Sequence, residues 1–248
     1  MKKTEYIPGD EIYRFLSKAM ASLEIPKQEE IETGSKKIFE RDISDLASEI
    51  NYINELLGKI EIGETAKHVE NVALKGMEVA DYLGIGNIEV SERGNVRQAM
   101  FISGLVHDKG KISPSMRENV KKSERVRNGS MEQFTQKDMQ NMKRHVLVSA
   151  ELEEDPFIRG IIARHHIYQK NRYPKISLFP YDEKKYGERS PEVIYLSKLL
   201  AIVDCYDRAQ DKERVMEIYA RLKLNRCDRL PRMKGKKLID MLYAEGIF

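Results

Sequence analysis

Apolar residues recur at helical spacing along nearly the whole chain. Asp10 is placed to cap a first helix, with Ile12, Leu16 and Met20 four residues apart, Phe15, Ala19 and Leu23 beside them, and Pro26 as its end. Gly34-Ser35 opens a second, whose positions Phe39, Ile43, Leu46, Ile50, Ile53 and Leu57 advance in alternating steps of four and three, ending at Gly58. That is a heptad rhythm over too short a length to argue for a coiled coil, so packing on the chain's own helical body and a dimer seam both remain open. From Gly63 a third helix carries Val69, Ala73, Met77 and Ala80 on one face, and Gly84 and Gly86 stop it.

The next helix runs from Asn95 to Val106, with Val96, Ala99, Met100 and Ser103 on its close-packing side. Residues 113–134 are polar and basic without clear periodicity and read as a loop or mobile lid, with room for a short helix. Helix is expected again from Thr135 to Leu152. Asp155-Pro156 is an N-cap followed by a first-turn proline, opening a helix through Ile158, Ile161, Ile162 and His165. Residues 169–189, rich in proline, aromatic residues and lysine, read as a long loop. Ser190-Pro191-Glu192 caps a helix that is apolar almost all round from Leu196 to Val203, the mark of a buried central helix. Amphipathic helices near 211–223 and 235–244 finish the chain, and no run reads as a strand. The expected fold class is therefore all-α: a helical bundle over residues 61–248 with an extra N-terminal helical region, 1–60.

Composition narrows the partners. The chain has 248 residues, 33% of them charged, and a formal net charge of +3, which gives no clear nucleic-acid surface. The balance shifts along it. Residues 1–60 carry 9 basic and 12 acidic side chains, whereas 205–248 carry 11 and 7, and 105–128 carry 7 and 3. Positive charge near residue 108 and beyond suits an anionic substrate, and equally an ordinary solvated helix surface. The longest apolar run, Leu199–Val203, is too short to cross a bilayer. No apolar segment follows Met1-Lys2-Lys3, and the two cysteines, Cys205 and Cys227, form no C-x-x-C pair. A reducing, cytoplasmic setting is expected, as a monomer or homodimer.

Five histidines remain to be explained: His68, His107, His145, His165 and His166. Each lies in or at the end of an expected helix. Glu64 stands one turn before His68 on the same face. His107 is followed by Asp108, then Lys109-Gly110-Lys111, so imidazole and carboxylate ligands sit side by side with a cation close behind. Asp204 follows five consecutive apolar residues and is expected to be buried, where a carboxylate needs a charged partner. A metal would serve, and so would Arg208 one turn on. Taken singly, each histidine also fits a surface or helix-capping role. Together they form an ordered series of His, His-Asp, His, His-His and Asp.

That series resembles the HD-domain superfamily of metal-dependent phosphohydrolases, and within it the HD-GYP phosphodiesterase branch. The HDxGK motif appears as His107-Asp108-Lys109-Gly110-Lys111, the upstream histidine matches His68, the later lone histidine matches His145, the HH pair matches His165-His166, and the aspartate of the last motif matches Asp204 within Leu200–Ala209. Over about residues 61–210, the resemblance implies two or three divalent ions, iron or manganese first and zinc also compatible. It implies Glu64, His68, His107, Asp108, His145, His165, His166 and Asp204 as ligands, with Asp108 bridging and Lys111 neutralising phosphate oxygens. Cyclic di-GMP is the first candidate substrate, with Arg172 and Tyr173 as further substrate contacts. A related hydrolase of linear nucleotides or phosphomonoesters, and a nucleotide- or partner-binding signalling module without catalysis, are the alternatives. The chain departs from the branch where Ile167 replaces a glutamate, where Arg172-Tyr173-Pro174 replaces the Gly-Tyr-Pro turn one residue early, and where Asp211-Lys212-Glu213-Arg214 replaces an arginine-tyrosine segment.

Overall fold

The computed structural model describes residues 63–91, 94–169, 173, 187, 190–227 and 230–248. The helices expected before Gly58, including the heptad stretch Phe39–Leu57, lie outside the described residues, as does nearly all of the loop expected over 169–189. The described residues belong to the unit Lys67–Phe248, together with the helical turn leading into it.

The described chain is mostly helical, as expected. Helix α1, Gly63–Tyr82, buries Val69, Val72, Ala73, Met77, Val79 and Ala80. It ends where Gly84 takes a left-handed φ of 65° and Ile85 returns its N–H to the Ala80 carbonyl. A ribbon of β1, Glu89–Ser91, and β2, Gly94–Asn95, leads into α2, Val96–Val106. Asn95 and Gln98 close a reciprocal capping box at the start of α2, each side chain binding the other's backbone N–H. A 3-10 turn, Lys109–Ile112, follows directly.

Two expectations are corrected by the structure. Pro114–Arg127, in the stretch read as a loop or lid with room for a short helix, is a 14-residue helix, α3. Its buried apolar residues are Met116 and Val120, one turn apart, with Val126 half-buried, on an otherwise polar and charged helix. Ser113-Pro114 supplies the start that the weak periodicity hid. The single helix expected over Thr135–Leu152 is two: α4, Gln136–Met142, and α5, His145–Glu151. The halves serve different neighbours. No residue of α4 is buried, and it packs on α3, whereas α5 buries His145, Val146, Ser149 and Ala150 against α6 and the 3-10 turn. The break at Lys143-Arg144 lets each take its own direction.

Helix α6, Pro156–Arg164, begins as expected, with Asp155 accepting from the N–H groups of Phe157 and Ile158. Helix α7, Pro191–Ala209, is the central one; every residue from Tyr195 to Cys205 is buried, and it packs on α2, α6 and α8. The last two helices are shorter than or equal to their expected spans: α8, Lys212–Tyr219, and α9, Gly235–Ala244. Between them a ribbon of β3, Lys223–Leu224, and β4, Met233–Lys234, was not foreseen, because two-residue strands leave no alternation to read. Tyr206 of α7 stacks on Phe248 at 4.1 Å between ring centres, with Tyr243 of α9 edge-on to both. Among the described residues, no helix is long and apolar enough to cross a membrane, and Cys205 and Cys227 are free thiols.

Two glycines set the spacing on which the site depends. A Cβ on Gly104 would lie 2.4 Å from the Ala73 Cα, so α1 and α2 touch backbone to backbone there. A Cβ on Gly110 would lie 2.2 Å from the His145 carbonyl oxygen, and the Gly110 N–H donates to Ser149 Oγ at 2.7 Å. Gly104→Ala must therefore push α1 from α2. We expect a loss of about 1–3 kcal/mol, the usual range for overpacking, read as a lowered midpoint in urea. A variant as stable as the parent would show that the two helices part freely.

Candidate metal centre

Five structural elements deliver the histidines and aspartates to one place. His68 comes from α1, His107 and Asp108 from the end of α2, His145 from the first turn of α5, His165-His166 from the end of α6, and Asp204 from α7. All seven are buried. Three overlapping sets have ligand atoms within 4.8 Å of one another: His145, His165 and His166; His68, His107 and Asp204; and His107, Asp108 and His165. The buried cluster expected from the sequence thus exists, and it could hold metal ions.

The ring orientations are fixed locally. The Nδ1 atoms of His107, His145 and His165 lie 2.7, 2.6 and 2.5 Å from the carbonyl oxygens of Gly104, Met142 and Ile162, each three residues back. A carbonyl only accepts, so each Nδ1 carries a proton, and in the neutral rings of His145 and His165 the Nε2 keeps its lone pair. His68 is held in the same sense by a carboxylate, with Asp207 Oδ2 2.5 Å from its Nδ1. At His166 the sense is reversed: Gln169 Nε2 donates to Nδ1 at 2.7 Å, which places the neutral ring's proton on Nε2. For the other rings the geometry is the usual one, since metal-binding histidines are ordinarily oriented through their second nitrogen in this way.

The atoms left over point at each other. His145 Nε2, His165 Nε2, Asp108 Oδ1 and Asp204 Oδ2 are buried without a hydrogen-bond partner. His145 Nε2 and Asp108 Oδ1 are 3.1 Å apart, yet both are acceptors, so no hydrogen bond joins them. Buried acceptors facing each other are costly unless a cation lies among them. The donor set, imidazole nitrogen with carboxylate oxygen, fits a divalent transition ion.

Electrostatics keep the donors in ligand form. Burial pushes His145, His165 and His166 below the usual histidine range, His165 to about 3, so these rings are neutral at ordinary pH. Burial would raise Asp108, but Lys111, His107 and Arg208 hold it well below the carboxylate range. Asp204 is likewise raised by burial and lowered further by Arg208, His107 and His68. His68 runs the other way: burial lowers it, and hydrogen bonds to Asp204 and Asp207 more than reverse this.

Other expected site residues vary in what the structure says of them. Lys111 is buried and pairs with Asp108. Tyr173 packs its ring on His166 at 4.6 Å and lies 6.1 Å from His145. The Glu64 side chain and Arg172 lie outside the described residues. Two members of the cluster were missed as site residues, Asp207 and Arg208. Arg208 Nη2 donates to Asp108 Oδ2 at 2.7 Å, and its Nε donates to Asp204 Oδ1 at 2.9 Å. The signal was present in the spacing, since positions three and four after Asp204 share its helix face.

No family model matches the chain, and neither a curated protein nor a solved structure matches it.

The neutral rings lend themselves to a pH test. If His145, His165 and His166 had ordinary values, affinity for an ion among them would fall about tenfold per pH unit for each ring protonated below about 6.5. Here the first zinc ion should lose clearly less affinity between pH 7 and 5.5 than three ordinary rings would, followed by calorimetry. A steep loss over that interval would show that the rings are protonated in the folded protein.

Proposed function

We propose that this chain is a metal-dependent phosphohydrolase that cleaves a phosphodiester, with a cyclic dinucleotide as substrate and cyclic di-GMP as the first candidate. The observation that carries the reading is the set of inward-facing Nε2 and carboxylate atoms without partners, supplied by the residues that match the HD and HD-GYP motifs. Asp108 presents Oδ1 toward His145 and Oδ2 toward His68 and His107, so one carboxylate faces both halves of the cluster. It is the residue we assign to a shared position between two ions. His145, His165 and His166 would hold one, and His68, His107 and Asp204 the other, with Glu64 able to admit a third. Bound divalent ions, iron or manganese first and zinc also compatible, would supply Lewis-acid activation of a water and of the phosphoryl oxygens.

The chain's own residues do the rest. Lys111, held against Asp108, keeps a cation beside the carboxylate and can answer the charge that grows on the phosphoryl oxygens in the transition state. The protonated Nδ1 atoms keep the rings of His107, His145 and His165 from turning. Arg172 and Tyr173 are assigned to the substrate. The replacement of the family's glycine by Arg172, and of its glutamate by Ile167, adds a cation to the segment that follows the His pair and removes an acid directly after it in sequence, which favours an anionic ligand of altered shape. Those two departures also support a second reading, a hydrolase of linear nucleotides or phosphomonoesters on the same centre. We assign the protein to the cytoplasm, as a monomer or homodimer.

The test is anaerobic hydrolysis, with iron or manganese supplied, of cyclic di-GMP, other cyclic dinucleotides, linear dinucleotides and a phosphomonoester. We expect diester cleavage, abolished together with metal binding in Asp108→Ala, and slowed about 10²–10³-fold in Lys111→Ala with metal retained. Phosphomonoester cleavage alone would favour the second reading. No turnover by the metal-loaded protein would make it a binding module.

A further inference from the structure

Arg208 holds the oxygens that half of the cluster would offer to an ion. Its Nη2 and Nε bridge Asp108 Oδ2 and Asp204 Oδ1, and Nη2 also lies 3.0 Å from His68 Nε2. The opposite oxygens of the same two carboxylates, Asp108 Oδ1 and Asp204 Oδ2, have no partner. They face His145 Nε2 at 3.1 Å and His166 Nδ1 at 3.8 Å. The cluster is therefore divided. On one side stand His145, His165 and His166, with no cationic side chain among the described residues bonded to any of their ring nitrogens. On the other stand His68, His107 and Asp204, with a guanidinium seated among them.

Among the described residues, an ion on the first side meets neutral rings and a carboxylate oxygen without a hydrogen-bond partner. An ion on the second must take Asp204 Oδ1 from a guanidinium that fills the same volume and carries the same sign of charge. The Arg208 side chain is 40% exposed, although its head contacts two nearly inaccessible carboxylates. It lies in the last turn of α7, two residues before Gln210, where a left-handed φ of 48° ends the helix. Lys111 also pairs with Asp108 Oδ2, from the 3-10 turn.

We infer that Arg208 is a built-in competitor for the second metal position, an internal cation that must swing out of the His68–His107–Asp204 side before an ion enters it. The inference rests on the proposed metal centre. Its consequence is a centre that fills in two separated steps, the His145–His165–His166 side first. The second step then responds to metal concentration, because its apparent affinity is reduced by the fraction of molecules in which Arg208 has left.

The experiment is a manganese titration of the full chain after chelator treatment, by calorimetry, with metal content measured after gel filtration. The parent should take one ion tightly and a second at least about tenfold more weakly, as an Arg208-out population of one tenth or less requires. Arg208→Ala should tighten the second ion by about that factor and leave the first nearly unchanged. Arg208→Gln, neutral and of similar length, should do the same if the alanine variant folds poorly. A merely structural arginine would lower the melting temperature of the metal-free variants without changing the ratio of the two affinities. A competitor lowers it and adds that change, with melting restored by manganese. An unchanged second affinity in both variants, or two equally tight ions on the parent, would overturn the competitor and leave the metal centre standing. No ion on the parent or on either variant would overturn the centre itself, and the competitor with it.

Discussion

Two carboxylates, Asp108 and Asp204, are buried to about 1% exposure in the middle of a helical body. The rest of the cluster depends on that constraint. An ionised carboxylate in such a place is tolerated only with opposite charge and hydrogen bonds around it. Lys111 and Arg208 supply the charge, and His68 adds a contact to Asp204 at 3.0 Å, from three different elements. The helices that carry them cannot separate without exposing a lone ion to an apolar interior. The backbone contact at Gly104 and the tight seat of Gly110 are the packing answer to the same demand, because they bring α1, the 3-10 turn and α5 close enough for the side chains to meet.

The division of charge has a second effect. Lys111 and Arg208 both reach Asp108 Oδ2, while Oδ1 has neither. A single carboxylate thus presents one saturated and one unsaturated oxygen. The neutral rings lie on the unsaturated side. His68, the one ring pulled upward by its carboxylate neighbours, lies on the saturated side. Polarity across the cluster is written into which lysine and arginine the fold brings to one oxygen, more than into the count of histidines.

Much of this arrangement is readable in the order of residues alone. The apolar run Leu199–Val203 marked α7 as central and Asp204 as buried, and both hold because a helix apolar all round has no solvent face to offer. Asp155-Pro156 and Ser190-Pro191 marked helix starts, since capping is local chemistry. The convergence of His68, His107-Asp108, His145, His165-His166 and Asp204 was implied by the family that their order resembles. What failed to show was of another kind. Helix α3 buries only Met116 and Val120, so its periodicity was swamped by charge, and its existence rests on docking to α4 and the 3-10 turn. The break at Lys143-Arg144 is a tertiary event, set by two neighbours that lie in different directions. Arg208 was visible as a partner one turn after Asp204, but its second bond, to Asp108 a hundred residues away, depends on how α2 meets α7.

The carbonyl tethers on His107, His145 and His165 bear on the entropy of loading the site. A free imidazole gives up rotational freedom about its side-chain bonds when it coordinates an ion, and that loss weakens binding. Here each ring is anchored to an oxygen only three residues earlier, so its tilt is fixed as soon as its own turn of chain forms. The ordering is settled locally, element by element, before the five pieces dock. Such a centre is stiff toward the ion it receives. It resists rearranging its rings around a cation of different preferred geometry, and selectivity then lies in the fit of the ion to a fixed frame.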